Sequence, residues 1–199
     1  MKKVFPWFYL SYGIIWVLAL IPVLLSPPDG GLWVWRSLLR YAGIAGFLMV
    51  YLSLMGAYIK EWQYKQTKKP FIDSHHILVR TGWVLMFIHP LALALQLNNW
   101  QIFIPTFSPL ATFFRMGGKV ALIVFTIGVL VAVLRKHLKG WKIVHMLQLV
   151  AFLLAGIHAW LIGTDTKTIP AKIILSLMMA SAFLLFFRNT KRFKYLLKN

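Results

Sequence analysis

The sequence predicts an all-α integral membrane protein: a single domain over residues 1–199 built as a bundle of six transmembrane helices, with both termini on the cytoplasmic side. Three observations carry that expectation. Of the 199 residues, 60% are hydrophobic and only 13% are charged, with a mean hydropathy of +0.73, too little polar surface for a water-soluble globule of this length. The apolar residues fall in runs near the roughly 20 residues that a helix needs to cross a bilayer. The Lys and Arg residues, which set a formal net charge of +18, cluster in alternate connections between those runs, so they read as a topology signal and not as a nucleic-acid surface.

The first helix is expected at about 7–25, after Lys2 and Lys3 and before the breaker Ser-Pro-Pro-Asp-Gly-Gly at 26–31. The run is long for the apolar segment of a signal peptide, and no small-x-small cleavage site follows it. The second is expected at about 41–59, preceded by Trp33, Trp35, Arg36 and Arg40, an aromatic and basic cluster that suits an interface. Residues 60–74 form the longest polar connection, with Lys60, Glu61, Lys65, Lys68, Lys69 and Asp73. The third helix, about 75–97, contains Pro90, whose missing N–H and ring should kink it and free a carbonyl one turn back. Such a break needs a neighbour inside a bilayer, which places this helix within the bundle.

Residues 98–112 carry no charge and are rich in aromatic residues and Pro, as an outer loop in the interface would be. The fourth helix follows at about 113–134, with Arg115 and Lys119 near its start, and ends in the basic turn of Arg135, Lys136, His137, Lys139 and Lys142. The fifth covers about 141–162 and stops at Gly163-Thr164-Asp165-Thr166. The sixth, about 170–187, opens with Pro170 at a permitted first-turn position and leads into a tail with Arg188, Lys191, Arg192, Lys194 and Lys198. The N-terminus, the connections after the second and fourth helices, and this tail hold 15 of the 22 Lys and Arg; the opposite side holds six, and Arg80 lies within the third helix. The crowded side is therefore cytoplasmic.

Four histidines organise the chain. His75 and His89 lie 14 apart on the third expected helix, and His145 and His158 lie 13 apart on the fifth. Both helices run from inside to outside, so His75 and His145 sit near the cytoplasmic boundary while His89 and His158 sit deeper, roughly 20 Å further along at 1.5 Å per residue. Ionisable side chains inside spans are costly enough to be functional candidates. The pattern reads as two pairs of axial ligands for two stacked haems. With no Cys in the chain, thiolate metal sites and covalent C-x-x-C-H attachment are excluded, so any haem is of the b type.

The angular positions differ between the pairs. Fourteen residues at about 100° each return to within about 40° of the starting face, so His75 and His89 point the same way. Thirteen leave His145 and His158 about 140° apart, so the fifth helix needs a π-bulge, a kink or a different ring approach, with Gly156 a candidate place for it. His76 is an alternative inner ligand, although its 13-residue separation takes it off the face of His89. Arg80 is the inner candidate for a haem propionate, and Arg36, Arg40, Arg115 and Lys119 are outer ones; simple snorkelling at the interface is the plainer role for each of the four. His137 reads as solvated.

These residues resemble the ferric reductase-like transmembrane domain, shared by ferric reductases, NADPH oxidases and the bacterial haem-binding subunit MsrQ. The resemblance covers about 41–187 and rests on the double histidine spacing, on Arg80 five residues after His75, on His89-Pro90, on Trp141-x-x-x-His145 and on Gly163-Thr164-Asp165 five residues after His158. Val79 departs from it, because many relatives carry Gly four residues after the first His. The resemblance implies b-type haems, two or one, on His75, His89, His145 and His158, in the membrane subunit of an oxidoreductase located in the cytoplasmic membrane.

Relatives of the reductase and oxidase types continue into flavin and nicotinamide domains. This sequence has no G-x-G-x-x-G and ends at Asn199. Any flavin is thus expected on a partner, and the electron donor is expected to be a separate flavoprotein or a membrane quinol. The expected acceptor outside is a ferric chelate or a periplasmic reductase. The alternative class is a six-helix transporter or metal permease without haem, with Asp73, His75 and His76 at a cytoplasmic mouth. Against it, the four acidic residues all lie at helix ends or in loops, where a permease calls for midplane charge or broken helices.

Overall fold

The computed structural model describes residues 7–25, 33–68 and 70–198, and the described residues are all-α, with short 3-10 turns in two connections. Lys2, Lys3, Lys69 and the breaker at 26–31 lie outside the described residues, as do the side chains of the basic tail. The chain divides into two compact units at Pro105.

The first unit contains α1 (Trp7–Leu25), α2 (Trp33–Gly56), α3 (Lys60–Thr67) and α4 (Phe71–Leu97). Its core is the pairing of α2 with α4. Leu39, Ala42, Gly46, Met49, Ser53 and Gly56, spaced alternately three and four residues apart, form one buried stripe of α2. The two backbones meet at glycines: a Cβ on Gly46 would stand 2.9 Å from the Gly82 carbonyl oxygen, and one on Gly82 3.1 Å from that of Gly46. In lipid, where apolar burial alone does not drive helices together, such close backbone packing supplies the contact.

Against α2, α1 buries Ile15, Ala19 and Val23 on one ridge, and Ile15 clusters with Met49 and with Leu78 of α4. Arg40 Nη2 donates to the Pro22 carbonyl at 3.2 Å, closing one of the last-turn carbonyls that a helix end leaves without an intrahelical partner. The Trp35 indole N–H similarly reaches Ala92 O at 3.3 Å, tying the start of α2 to the later part of α4.

The second unit contains α5 (Leu110–Arg115), α6 (Gly117–Val133), α7 (Trp141–Met146), α8 (Gln148–Ile162) and α9 (Ile169–Lys198). Here α6 packs on α7 and α8, with α5 and α9 also on α8. Gly117, Ala121, Phe125 and Gly128 form the buried stripe of α6, facing Gln148, Leu149, Ala151, Phe152 and Gly156. Gly128 makes room for Gln148, whose amide lies where a Cβ at 128 would be; the amide donates to Val124 O at 2.9 Å. At the far end, the Thr166 hydroxyl donates to Ala159 O at 2.5 Å and closes α8.

Three runs are long and apolar enough to cross a membrane: Val34–Gly56, Phe71–Leu97 and Trp141–Ile162. At 22 to 27 residues they measure roughly 33–40 Å, against a hydrocarbon core of about 30 Å. Shorter apolar helices occupy Gly13–Leu24, Gly117–Val133 and Ile169–Leu184. Large apolar side chains such as Ile77, Val84, Leu95, Ile123, Ile127, Leu130 and Leu177 are exposed on these helices, the exterior that lipid favours over water.

The boundaries correct the sequence reading in four places. The second helix begins at Trp33, so Trp35, Arg36 and Arg40 lie within it instead of before it. The polar connection at 60–74 contains α3, ended by Lys68 in the left-handed region (φ 56°), while the Gln63 amide holds α3 to Ser74 of α4. The last helix continues to Lys198. The expected fourth and fifth helices are each interrupted, at Met116 and at Leu147. The interruption in the fifth helix lies at Leu147, whose N–H bonds Val144 O, three residues back, at 3.1 Å; Gly156, the place considered for an adjustment, is buried within α8.

Candidate functional site

Each unit presents two of the four histidines, and each imidazole is fastened through Nδ1 to the neighbouring helix of its own unit. In the first unit, His75 Nδ1 lies 2.6 Å from Ser53 Oγ, and His89 Nδ1 donates to Leu39 O at 2.9 Å. In the second, His158 Nδ1 donates to Arg115 O at 2.6 Å, and His145 Nδ1 reaches Gly128 O at 3.4 Å, the longest of the four.

The local sequence makes each anchor possible. A carbonyl oxygen has two lone pairs, so Leu39 O can accept an imidazole N–H while remaining in its helix. The His89 ring reaches it because Gly43 has no side chain; a Cβ there would stand 3.2 Å from His89 Nδ1. Gly118 plays the same part for His158, and more tightly, since a Cβ there would stand 2.9 Å from Cδ2 and 3.0 Å from Nε2. The break at Met116 turns Lys119 N–H to Met116 O at 3.0 Å, one residue from the Arg115 carbonyl that accepts the His158 N–H.

The two units share one local design. The anchoring residues Leu39 and Ser53 are 14 apart, as are His89 and His75; Arg115 and Gly128 are 13 apart, as are His158 and His145. In an antiparallel helix pair, equal steps along the two helices keep the contacts in register. Each unit therefore holds two imidazoles roughly 20 Å apart along its helices. Gly43 precedes Ser53 by ten residues and Gly118 precedes Gly128 by ten.

A carbonyl can only accept, so at His89 and His158, and through the longer contact at His145, the anchored nitrogen carries a proton; in a neutral ring this leaves the lone pair on Nε2. That is the neutral tautomer a metal-binding imidazole adopts when a carbonyl orients it. At His75 the serine hydroxyl is compatible with the same tautomer. Among the described residues there is no group of three or more His, Cys, Asp or Glu that could hold a bare metal ion. Haem iron asks less of the protein, because the macrocycle fills four positions and two imidazoles complete the coordination. Imidazole nitrogen is a donor that haem iron accepts.

Arg80, Arg36 and Arg115 are exposed, and Lys119 is half-buried; Arg115 holds His158 by its backbone. His76 is half-buried, its ring 5.9 Å from that of His75. His137 and Asp73 are exposed. Trp141 stands against His145, with ring centroids 5.9 Å apart, and Phe71 against His75 at 5.4 Å. The residues that sequence reasoning missed are Ser53, Gly43 and Gly118 and the carbonyls of Leu39, Arg115 and Gly128; the repeated ten-residue spacing was their one signal. No protein-family model, curated protein or solved structure matches the chain.

Proposed function

We propose that the chain is a b-type cytochrome of the cytoplasmic membrane, with six spans and both termini inside, that carries electrons from a cytoplasmic flavoprotein or quinol to an acceptor outside. The acceptor class is a ferric chelate or a periplasmic reductase. His75, His89, His145 and His158 would serve through Nε2 as axial ligands for two haems. When bound, each haem supplies a one-electron couple that needs no open coordination position.

The observation that carries the reading is the anchoring of all four imidazoles through Nδ1, at the same separations on histidine and anchor helices. A histidine that merely packs can make one such bond; what supports the haem reading is that all four make it and leave Nε2 for a ligand, at matched separations. The sequence resemblance to ferric reductase-like domains points the same way.

The test is the haem content of single His→Ala variants purified from haem-replete cells. Each of the four is expected to lose one of two b haems. Variants that all keep the wild-type haem content would contradict the reading.

A further inference from the structure

Three of the four anchors are backbone carbonyls, which a side-chain substitution cannot remove. The fourth is a side chain. Ser53 is 2% exposed, on the stripe of α2 that packs against α4, and its hydroxyl lies 2.6 Å from His75 Nδ1 on that partner helix. The ordinary use of a hydroxyl inside an apolar helix is a bond to its own backbone, as Thr126 makes to Leu122 O at 2.8 Å and Ser181 to Met178 O at 2.9 Å. Ser53 instead reaches across to one of two adjacent histidines. The neighbouring His76 ring has no such anchor among the described residues.

We propose that Ser53 is a positioning residue that selects His75 over His76 as the inner ligand and sets the donor strength of its imidazole; this rests on the haem reading above. An imidazole that donates its Nδ1 proton to an acceptor gains basicity at Nε2. A more basic ligand favours ferric over ferrous iron, so loss of the acceptor raises the midpoint potential of that site. The other three imidazoles keep their backbone acceptors whatever happens at Ser53. At the site His75 serves, the acceptor itself can be removed by a side-chain substitution; at the other three imidazoles it cannot.

The experiment uses the full-length haem-loaded protein, with potentiometric titration and low-spin electron paramagnetic resonance on wild type, Ser53→Ala, Ser53→Cys and Ser53→Thr. Ser53→Ala is expected to raise one midpoint potential and shift one set of g-values while leaving the other haem unchanged. Ser53→Cys, a poorer acceptor of nearly the same shape, is expected to move the same haem in the same direction if the alanine variant does not accumulate. Ser53→Thr is expected to restore the wild-type values, and the haem that moves is the one lost in His75→Ala.

Loss of a haem in His76→Ala with both retained in His75→Ala would overturn the assignment. So would a haem-containing wild type whose potentials and g-values are unmoved in both Ser53→Ala and Ser53→Cys. A wild type that binds no haem would overturn the cytochrome reading and, with it, the role of Ser53.

Discussion

Substitution of Gly118 by alanine puts one methyl group into the contact that holds His158. The added Cβ would stand 2.9 Å from His158 Cδ2, 3.0 Å from Nε2 and 3.2 Å from Cγ, whereas non-bonded carbon atoms rest at about 3.5–4.0 Å. The ring must retreat by about 0.6 Å or more. It is held on its far edge by the 2.6 Å bond from Nδ1 to Arg115 O, so it cannot retreat and keep that geometry. Overpacking of this kind costs about 1–3 kcal/mol, and a weakened hydrogen bond adds about 1 kcal/mol.

A total of about 2–4 kcal/mol weakens haem retention at His158 roughly 30- to 700-fold. At Gly43 the corresponding Cβ would meet only His89 Nδ1 closely, at 3.2 Å, with the next ring atoms at 3.5 Å, and a shift of a few tenths of an ångström relieves it. The expected cost there is about 1 kcal/mol. The assay is a haem titration of the two variants beside wild type, with melting temperature as a control for global damage. The expected order is Gly118→Ala well below Gly43→Ala, and Gly43→Ala slightly below wild type. Equal retention in Gly118→Ala and wild type, or the reverse order of the two glycines, would refute the reasoning.

Two further predictions concern the fold and the topology. Gly128→Ala places its Cβ on the Gln148 amide and forces it off Val124 O, so a buried polar group loses its partner and the variant should lose about 3 kcal/mol or more of stability; a melting temperature equal to wild type would count against the packing described. The sequence has no Cys, so single-cysteine variants report topology against a silent background. Lys136→Cys in intact cells should resist a membrane-impermeant thiol reagent while Phe107→Cys reacts, and the opposite pattern would invert the proposed orientation.

What the sequence could and could not reveal follows from where the information resides. Helix α1 was expected at 7–25 and spans Trp7–Leu25, because an apolar run closed by a Pro/Gly breaker leaves little choice. The end of α4 at Leu97 was equally visible, with Asn98 in the left-handed region as its cap. Helix α3 was missed because Lys60–Thr67 is polar throughout; its sign is Glu61 four residues before Lys65, a helix-supporting pair and not an apolar stripe. The break within the fifth helix was not visible either: a departure from regularity was sought at Gly156, whereas the helix is interrupted at Leu147 by a change of hydrogen-bond partner, which most residues can make.

The anchors themselves were the least visible part. Leu39, Arg115 and Gly128 contribute carbonyl oxygens, which every residue has, so no motif can mark them. Gly43 and Gly118 were visible only as glycines in apolar helices, where a packing role is the common one. Arg115 shows the hazard of reading side chains alone, since its guanidinium was the expected feature and its backbone carries the contact to His158.

The central claim is that four anchored imidazoles hold two haems, and an absorption spectrum of the purified wild-type protein tests it most directly. Oxidised and dithionite-reduced spectra, with a pyridine haemochrome count, are expected to show two b haems per chain with sharp low-spin bands. A colourless protein from haem-replete cells would contradict the account and return a haem-free transporter to consideration.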